Sequence, residues 1–407
     1  MSRSPTDNLP ENPSRTWVEI DKRAWRENFA SLQSNVSPVT VAPVVKADAY
    51  GLGAYTACRS FREAGAQLFI VSCLQEAIEL EHVGGNVLIL GAPLPEEIPE
   101  IIKRGFIITV PSAEIAQTIS KTAEALGKTV KAHVKVDTGM GRLGFSTDEA
   151  VPAVERAAAL PFLNLEGIYS HFPAAGRQDS FTLNQIRVLT GIIEELRERG
   201  VEFKHRHIAN STATAGLPRA KMAPYNMVRC GLDLHGAHLS ITTRPYETTP
   251  VLTLKSRLVA VRHHPCGATV GYGRTYTVAK EEGERIGVVA IGYADGYPRC
   301  LSNRGHMLIR GQSCPVVGLI CMDYAMVSLE NVPDAQRGDE VVVIGEQHNA
   351  SIPLREVART AETIPYEITC MLGRRVARHY YEGPPRRQET VHTTEDAEVQ
   401  GNKNTAC

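Results

Sequence analysis

Between residues 40 and 230, short apolar runs alternate about eight times with helix-length amphipathic segments. That alternation constrains the fold more than anything else in the chain. Repeated βα units bury their strands only in a parallel sheet whose faces are covered by helices. The strand candidates are 41–45, 68–72, 87–90, 107–110, 130–136, 165–169, 204–208 and 227–229, with helical stretches such as 54–64, 112–126, 146–160 and 179–199 between them. A doubly wound open sheet shares this rhythm, but the number of units is that of a TIM-type (β/α)8 barrel, and the α/β barrel is the reading adopted.

The texture changes after about residue 244. Strand-like runs at 251–261, 286–291, 307–309, 316–320, 325–329 and 341–344 follow one another across Gly and Pro turns, with helical patterns only at 354–361 and 366–372. This is the pattern of a mainly β C-terminal domain. The 407 residues therefore divide into a leader at 1–15, a barrel at 16–245, a β domain at 246–382 and a polar tail at 383–407. The strand at 16–20 precedes the barrel and is a candidate to pair with the C-terminal domain.

A net charge of −1 gives no basic face for nucleic acid, and no apolar run approaches a membrane span. The nine cysteines are scattered without a C-x-x-C pair, which argues against a disulfide framework and against structural zinc; no metal is expected. The leader is polar, carries Pro5, Pro10 and Pro13, and has no signal-peptide core, so a cytoplasmic location is expected.

Barrel enzymes place reactive groups at the carboxyl ends of their strands. The run TVAPVVKADAYGLG, residues 40–53, puts Lys46 at the first such end, followed by Tyr50 and two glycines where backbone can approach a ligand closely. Burying an ammonium is costly, and the same cost makes the amine a usable nucleophile or base. A strand-end lysine that reaches solvent is the plain alternative. VVKADAYGLG resembles the cofactor-lysine motif of the alanine racemase family, whose members hold pyridoxal 5'-phosphate as a Schiff base. The resemblance implies that Lys46 is that lysine and that Tyr50 binds the phosphate. Leu52 stands where the family more often has His. The motif alone also fits single-domain pyridoxal-phosphate carrier barrels without racemase activity.

Further along, KVDTGMGRLG, residues 135–144, sets a guanidinium in a loop of three glycines, an arrangement suited to an anion. It resembles the family's corresponding loop. There Arg142 would contact the cofactor's phenolic oxygen and the substrate carboxylate, and Lys135 matches a lysine carbamylated in many members. His171, in YSHF after the sixth strand, matches the histidine that lies against the cofactor ring. Asn210 and Ser211 open a short helix where backbone N–H groups and a hydroxyl can meet a phosphate. His205 and His207 read as ordinary strand residues. In VRCGL, residues 228–232, the resemblance puts Arg229 at the pyridine nitrogen and gives the phosphate to Gly231 and Leu232. An arginine cannot accept a proton there, which leaves the ring nitrogen unprotonated and favours simple removal and return of one proton over transamination.

Racemisation needs two opposed acid/base groups, one on each face of the reacting carbon. Lys46 supplies one. GYGRTY, residues 271–276, resembles the family's catalytic tyrosine context, which assigns Tyr272 as the other and implies a homodimer with shared active sites. In IGYADGY, residues 291–297, Tyr293 matches an entrance tyrosine. In CMDY, residues 321–324, the Met322 amide would take the substrate carboxylate beside Asp323. In IPYE, residues 364–367, Tyr366 would contact the phosphate and narrow the pocket to a methyl side chain. Motifs in the family's order run from Trp17 to about Arg378. Together they imply interconversion of L- and D-alanine, with D-alanine supplied for peptidoglycan. A serine or broad-specificity racemase is one alternative. A decarboxylase of the same architecture is another, disfavoured because that family has an acid where this chain has Arg229.

Overall fold

The computed structural model describes residues 14–238 and 244–384. The expected leader and tail therefore lie almost wholly outside the described residues. Strand β1 (Thr16–Asp21) leads into the helix Lys22–Val36, whose N-terminus is capped by Asp21 accepting from the Arg23 and Ala24 amides. Eight parallel strands follow: β2 (Thr40–Pro43), β3 (Leu68–Val71), β4 (Asn86–Ile89), β5 (Ile108–Val110), β6 (Val130–Lys135), β7 (Leu163–Tyr169), β8 (His205–His207) and β9 (Met227–Cys230). Strand β2 pairs with β9, β3 with β4, and β5 through β8 form a continuous ladder. Single bridges at Val44–Ile70, Leu88–Ile107 and Asn210–Arg229 join these pieces. The ring is closed, so no strand edge is left open.

The two halves of the barrel lumen differ. Ala42, Val44, Leu68, Ile70, Leu88, Ile107 and Met227 make one apolar cluster. Across from it, the period-2 alternation of β5–β9 turns Thr109, His133, Lys135, Tyr169, His207 and Arg229 away from the apolar helix-facing core, and all six are buried. A barrel core usually takes bulky aliphatics. This half is polar, and each of its groups needs a partner.

The C-terminal domain is built on β10 (Leu252–His264), followed by β11 (Thr269–Val270), β12 (Tyr276–Thr277), β13 (Glu284–Val289), β14 (His306–Ile309), β15 (Gln312–Pro315), β16 (Ala325–Ser328), β17 (Glu340–Gln347), β18 (Ala350–Ile352) and β19 (Ala377–Tyr381). Strand β10 pairs antiparallel with β1, β13 and β17. Strand β1 also pairs in parallel with β19, Val18 opposite Arg378. The first strand therefore belongs to the sheet of the last, and the barrel is an excursion between them. The strand expected at 316–320 is irregular: Gly318 at φ +76° breaks the extended run, leaving only a bridge from Val316 to Val327.

Candidate active site

Strand β2 ends at Pro43, and four residues later the chain enters a left-handed turn. Ala47, Asp48, Ala49 and Tyr50 have φ between 51 and 59° and ψ between 38 and 49°. For L-residues with a Cβ this costs about 1–2 kcal/mol each, so the turn persists only because its surroundings fix it. The Glu76 carboxylate accepts from the Ala47 amide (2.7 Å), and Asp48 Oδ1 accepts from the Ala54 amide (2.7 Å). From β19, Arg378 donates twice to the Gly51 carbonyl and Tyr380 Oη to that of Leu52. The two glycines of the motif serve this docking rather than a ligand. A Cβ at Gly51 would lie 2.2 Å from the Thr369 carbonyl oxygen, and one at Gly53 would overlap the Tyr380 hydroxyl.

Lys46, immediately before the turn, is exposed. The expectation of a buried Lys46 is corrected: strand β2 ends at Pro43, three residues before it, and Lys46 lies exposed ahead of the turn. The cost of burial falls on Lys135 instead. Burial, with Arg229 and Arg142 nearby, pulls the Lys135 amine down to about 7 despite the opposing pull of Asp137. Its Nζ donates to the Val136 carbonyl (2.9 Å) and lies over the Tyr169 ring.

Arg229, at the end of β9, is buried without a carboxylate partner. Its Nη1 donates to His207 Nδ1 (2.7 Å), and its Nη2 to the Ser170 carbonyl (2.8 Å), His171 Nδ1 (3.1 Å) and the Ile208 carbonyl (3.2 Å). Burial lowers even this guanidinium to about 10. Nε takes part in none of these bonds. Because arginine only donates, the histidine tautomers follow. His207 accepts at Nδ1 and carries its proton on Nε2, from which it donates to His133 Nδ1 (3.0 Å). His133 then holds its proton on Nε2, a buried atom with no partner. Burial holds His207 well below the usual imidazole range, and it brings His133 and His171 to about 3. Arg229, Arg142, Lys135 and Lys46 all add to the effect on His171. Burial and these basic groups together keep the imidazole neutral. Asp137 is a carboxylate nearby, but it accepts from the Gly139, Met140 and Arg142 amides and serves to shape the glycine loop. Burial opposes the charge on Asp137, yet those amides hold it below the usual carboxylate range.

At the neighbouring strand ends, the Gly231 amide donates to Ser211 Oγ (3.1 Å), and a Cβ at Gly231 would lie 2.2 Å from the Tyr50 hydroxyl. The Tyr50 ring packs between His235 and Tyr366, each 5.3 Å away. Asn210 Oδ1 is committed to the Ala213 amide as a helix cap (3.0 Å). This hydroxyl-lined cradle suits a phosphate, and a buried guanidinium with an uncommitted Nε suits a ring nitrogen. With an exposed amine in Lys46, the donor set fits pyridoxal 5'-phosphate.

Of the residues expected from the C-terminal domain, Tyr366 joins this cradle. Tyr272 is 68% exposed and has no hydrogen bond or ring contact among the described residues. Tyr293 and Met322 are also exposed. Asp323 is tied by Arg375 (2.7 Å), which also grips the buried Asp295 (2.6 and 3.1 Å) and so fastens the loops at 292–297 and 321–324 together. Sequence reasoning missed Glu76, Asp137, His133, His207 and Arg375. Only Asp137 carried a local signal, as an Asp just before a glycine loop. Among the described residues no group of His, Cys, Asp and Glu could hold a metal, and no helix is long and apolar enough to cross a membrane.

Two family models cover this architecture: the alanine racemase N-terminal domain matches residues 20–238, and the C-terminal domain matches 251–380. An alanine racemase of Desulfovibrio desulfuricans is 39% identical over 371 residues, covering 90% of this chain and 98% of the relative. The crystal structure of a Bacillus anthracis alanine racemase with bound L-Ala-P is similar with a TM-score of 0.84 at 32% identity, over 92% of this chain and 96% of that one. A Bartonella henselae alanine racemase with covalently bound pyridoxal phosphate gives a TM-score of 0.81 at 28% identity, over 91% and 100%.

Proposed function

The chain belongs to the alanine racemase family, and from that premise we propose how its own residues divide the work. It is a pyridoxal 5'-phosphate-dependent alanine racemase, interconverting L- and D-alanine. When bound, the cofactor takes up the substrate's amino group and withdraws electrons from Cα, which makes the Cα proton removable. Lys46 is assigned to holding the cofactor and to moving the proton on the D face. Tyr272 of a partner subunit is assigned to the L face. The exposure of Tyr272 in one subunit is what a group acting across a dimer interface requires.

Tyr50, Ser211, Gly231, Leu232 and Tyr366 are assigned to the phosphate, with Asn210 shaping the turn that presents Ser211. His171, neutral and hydrogen-bonded to Arg229, is assigned to the ring face. Arg142 and the Met322 amide are assigned to the substrate carboxylate, with Tyr293 and Asp323 lining the approach. The observation that carries this reading is Arg229, buried and bonded to histidine and carbonyls rather than to a carboxylate. A guanidinium keeps its proton, so protonation of the ring nitrogen is not offered, and the proton leaving Cα is returned to Cα. The decarboxylase alternative requires an acid at this position.

A homodimer with shared sites, a cytoplasmic location and supply of D-alanine to peptidoglycan complete the proposal. The test is a pair of variants. Lys46→Ala should lose covalent attachment of the cofactor, whereas Tyr272→Phe should retain the cofactor and lose racemisation, followed by circular dichroism of L- and D-alanine. Full racemisation by Tyr272→Phe would sink the two-base assignment. Rates on alanine, serine and lysine then define substrate breadth.

A further inference from the structure

The left-handed turn at Ala47–Tyr50 has Lys46 immediately before it and Tyr50 as its last residue. On the reading above, these two side chains grip one cofactor at two points, so the turn fixes the span between them. A run of four non-glycine residues at positive φ does not hold itself, since each relaxes to negative φ when released. The amide of the first of them donates to a side chain from outside the turn, Glu76 Oε1, at 2.7 Å. The other oxygen of the same carboxylate accepts from the Ser72 amide at the end of β3, also at 2.7 Å. Glu76 therefore ties the turn after β2 to the turn after β3, and both its oxygens are used.

We infer that Glu76 is a positioning residue for the cofactor lysine: it holds Ala47 in the left-handed region and thereby sets the distance between Lys46 and Tyr50. It reaches no substrate atom and acts through the backbone. Glutamine has the same shape but only one acceptor oxygen, so in Glu76→Gln one of the two amides must face an NH2 group. Hydrogen bonds to a charged group are strong enough that losing one is worth about tenfold to a hundredfold in an equilibrium.

The inference rests on the assignment of Lys46, which is checked first. Borohydride reduction of the parent holoenzyme followed by peptide mapping should place the cofactor on Lys46, and a tag elsewhere overturns the assignment itself. With the tag on Lys46, the dissociation constant for added pyridoxal 5'-phosphate is measured in Glu76→Gln, together with the pH titration of the holoenzyme's visible spectrum. A rise of about tenfold or more with a displaced titration is expected. The discriminating variant is Glu76→Gln with Ala47→Gly. Glycine adopts positive φ without penalty, so it should recover at least threefold of the lost affinity. A general loss of structure or of local charge would not be rescued in this way. Glu76→Gln within twofold of the parent in both measurements, or no recovery in the double variant, overturns the inference. Should Glu76→Gln fail to fold, Glu76→Asp keeps the charge but withdraws it from Ala47; parent-like affinity and titration in that variant overturn it equally.

Discussion

Lys135 yields a pH dependence whose sign and size follow from where it sits. Its amine is buried beside Arg229 and held at about 7, against a lysine's ordinary 10.5. Between those values the unfolded chain carries a proton that the folded chain does not, so stability rises with pH across the window. Below about 7 both states carry the ammonium and the full penalty for burying it applies. At about 1.4 kcal/mol per pH unit, that penalty is about 5 kcal/mol, and it fades towards 10.5. The share released between pH 7 and pH 9 is about 2 kcal/mol. Denaturant unfolding of the cofactor-free protein at the two pH values, in buffer stripped of carbon dioxide, measures it. Lys135→Met removes the titrating group and keeps the volume, so the parent should gain about 2 kcal/mol more than the variant. An equal pH response in the two proteins would refute the burial of a titrating amine at this position. The same property makes Lys135 a target for carbon dioxide, which only the neutral amine attacks. At pH 7 about half of the Lys135 amines are neutral, against roughly one in 3,000 for an ordinary lysine. With 13C-labelled bicarbonate, a carbamate resonance should appear in the parent, grow as pH rises through 7, and be missing from Lys135→Met. A carbamate there would set an anion near Arg142, the role the family resemblance implies.

Two further changes probe the cradle and the network below it. Gly231→Ala sets a methyl 2.2 Å from the Tyr50 hydroxyl, so the phenol must move out of the cradle. Cofactor affinity, read by absorbance titration, should fall more than tenfold while the fold is kept, and unchanged affinity would remove Gly231 from the phosphate site. His207→Leu strands the Arg229 Nη1 donor and the His133 Nδ1 acceptor in the lumen, and two unsatisfied buried groups cost about 3 kcal/mol in denaturant unfolding. A loss below about 0.5 kcal/mol would show that the polar half of the lumen does not depend on this chain of bonds.

What could be read in the sequence and what could not divide along a physical line. The barrel was legible because each βα unit announces itself within one window of residues, and the strand-end motifs were legible because their residues are neighbours in the chain. The short pairs β11 and β12 and the broken run at 316–320 lie below the length at which periodicity speaks. The partners inside the lumen were not legible at all. His133 and His207 meet across 74 residues, and Arg375 reaches Asp295 across 80. Nothing local to HRH or to Arg375 announces such bonds. The two lysines make the point most clearly. Lys46 and Lys135 both end apolar strands, and the sequence argues equally for burying either. Strand β6 lies inside a continuous ladder, so Lys135 stays among Tyr169, Arg229 and the helix-covered wall. Strand β2 stops three residues before Lys46, which lies exposed just ahead of the left-handed turn. Which lysine loses its proton to burial is therefore decided by where each strand stops and by sheet closure. The exposed one is left where a cofactor can reach it.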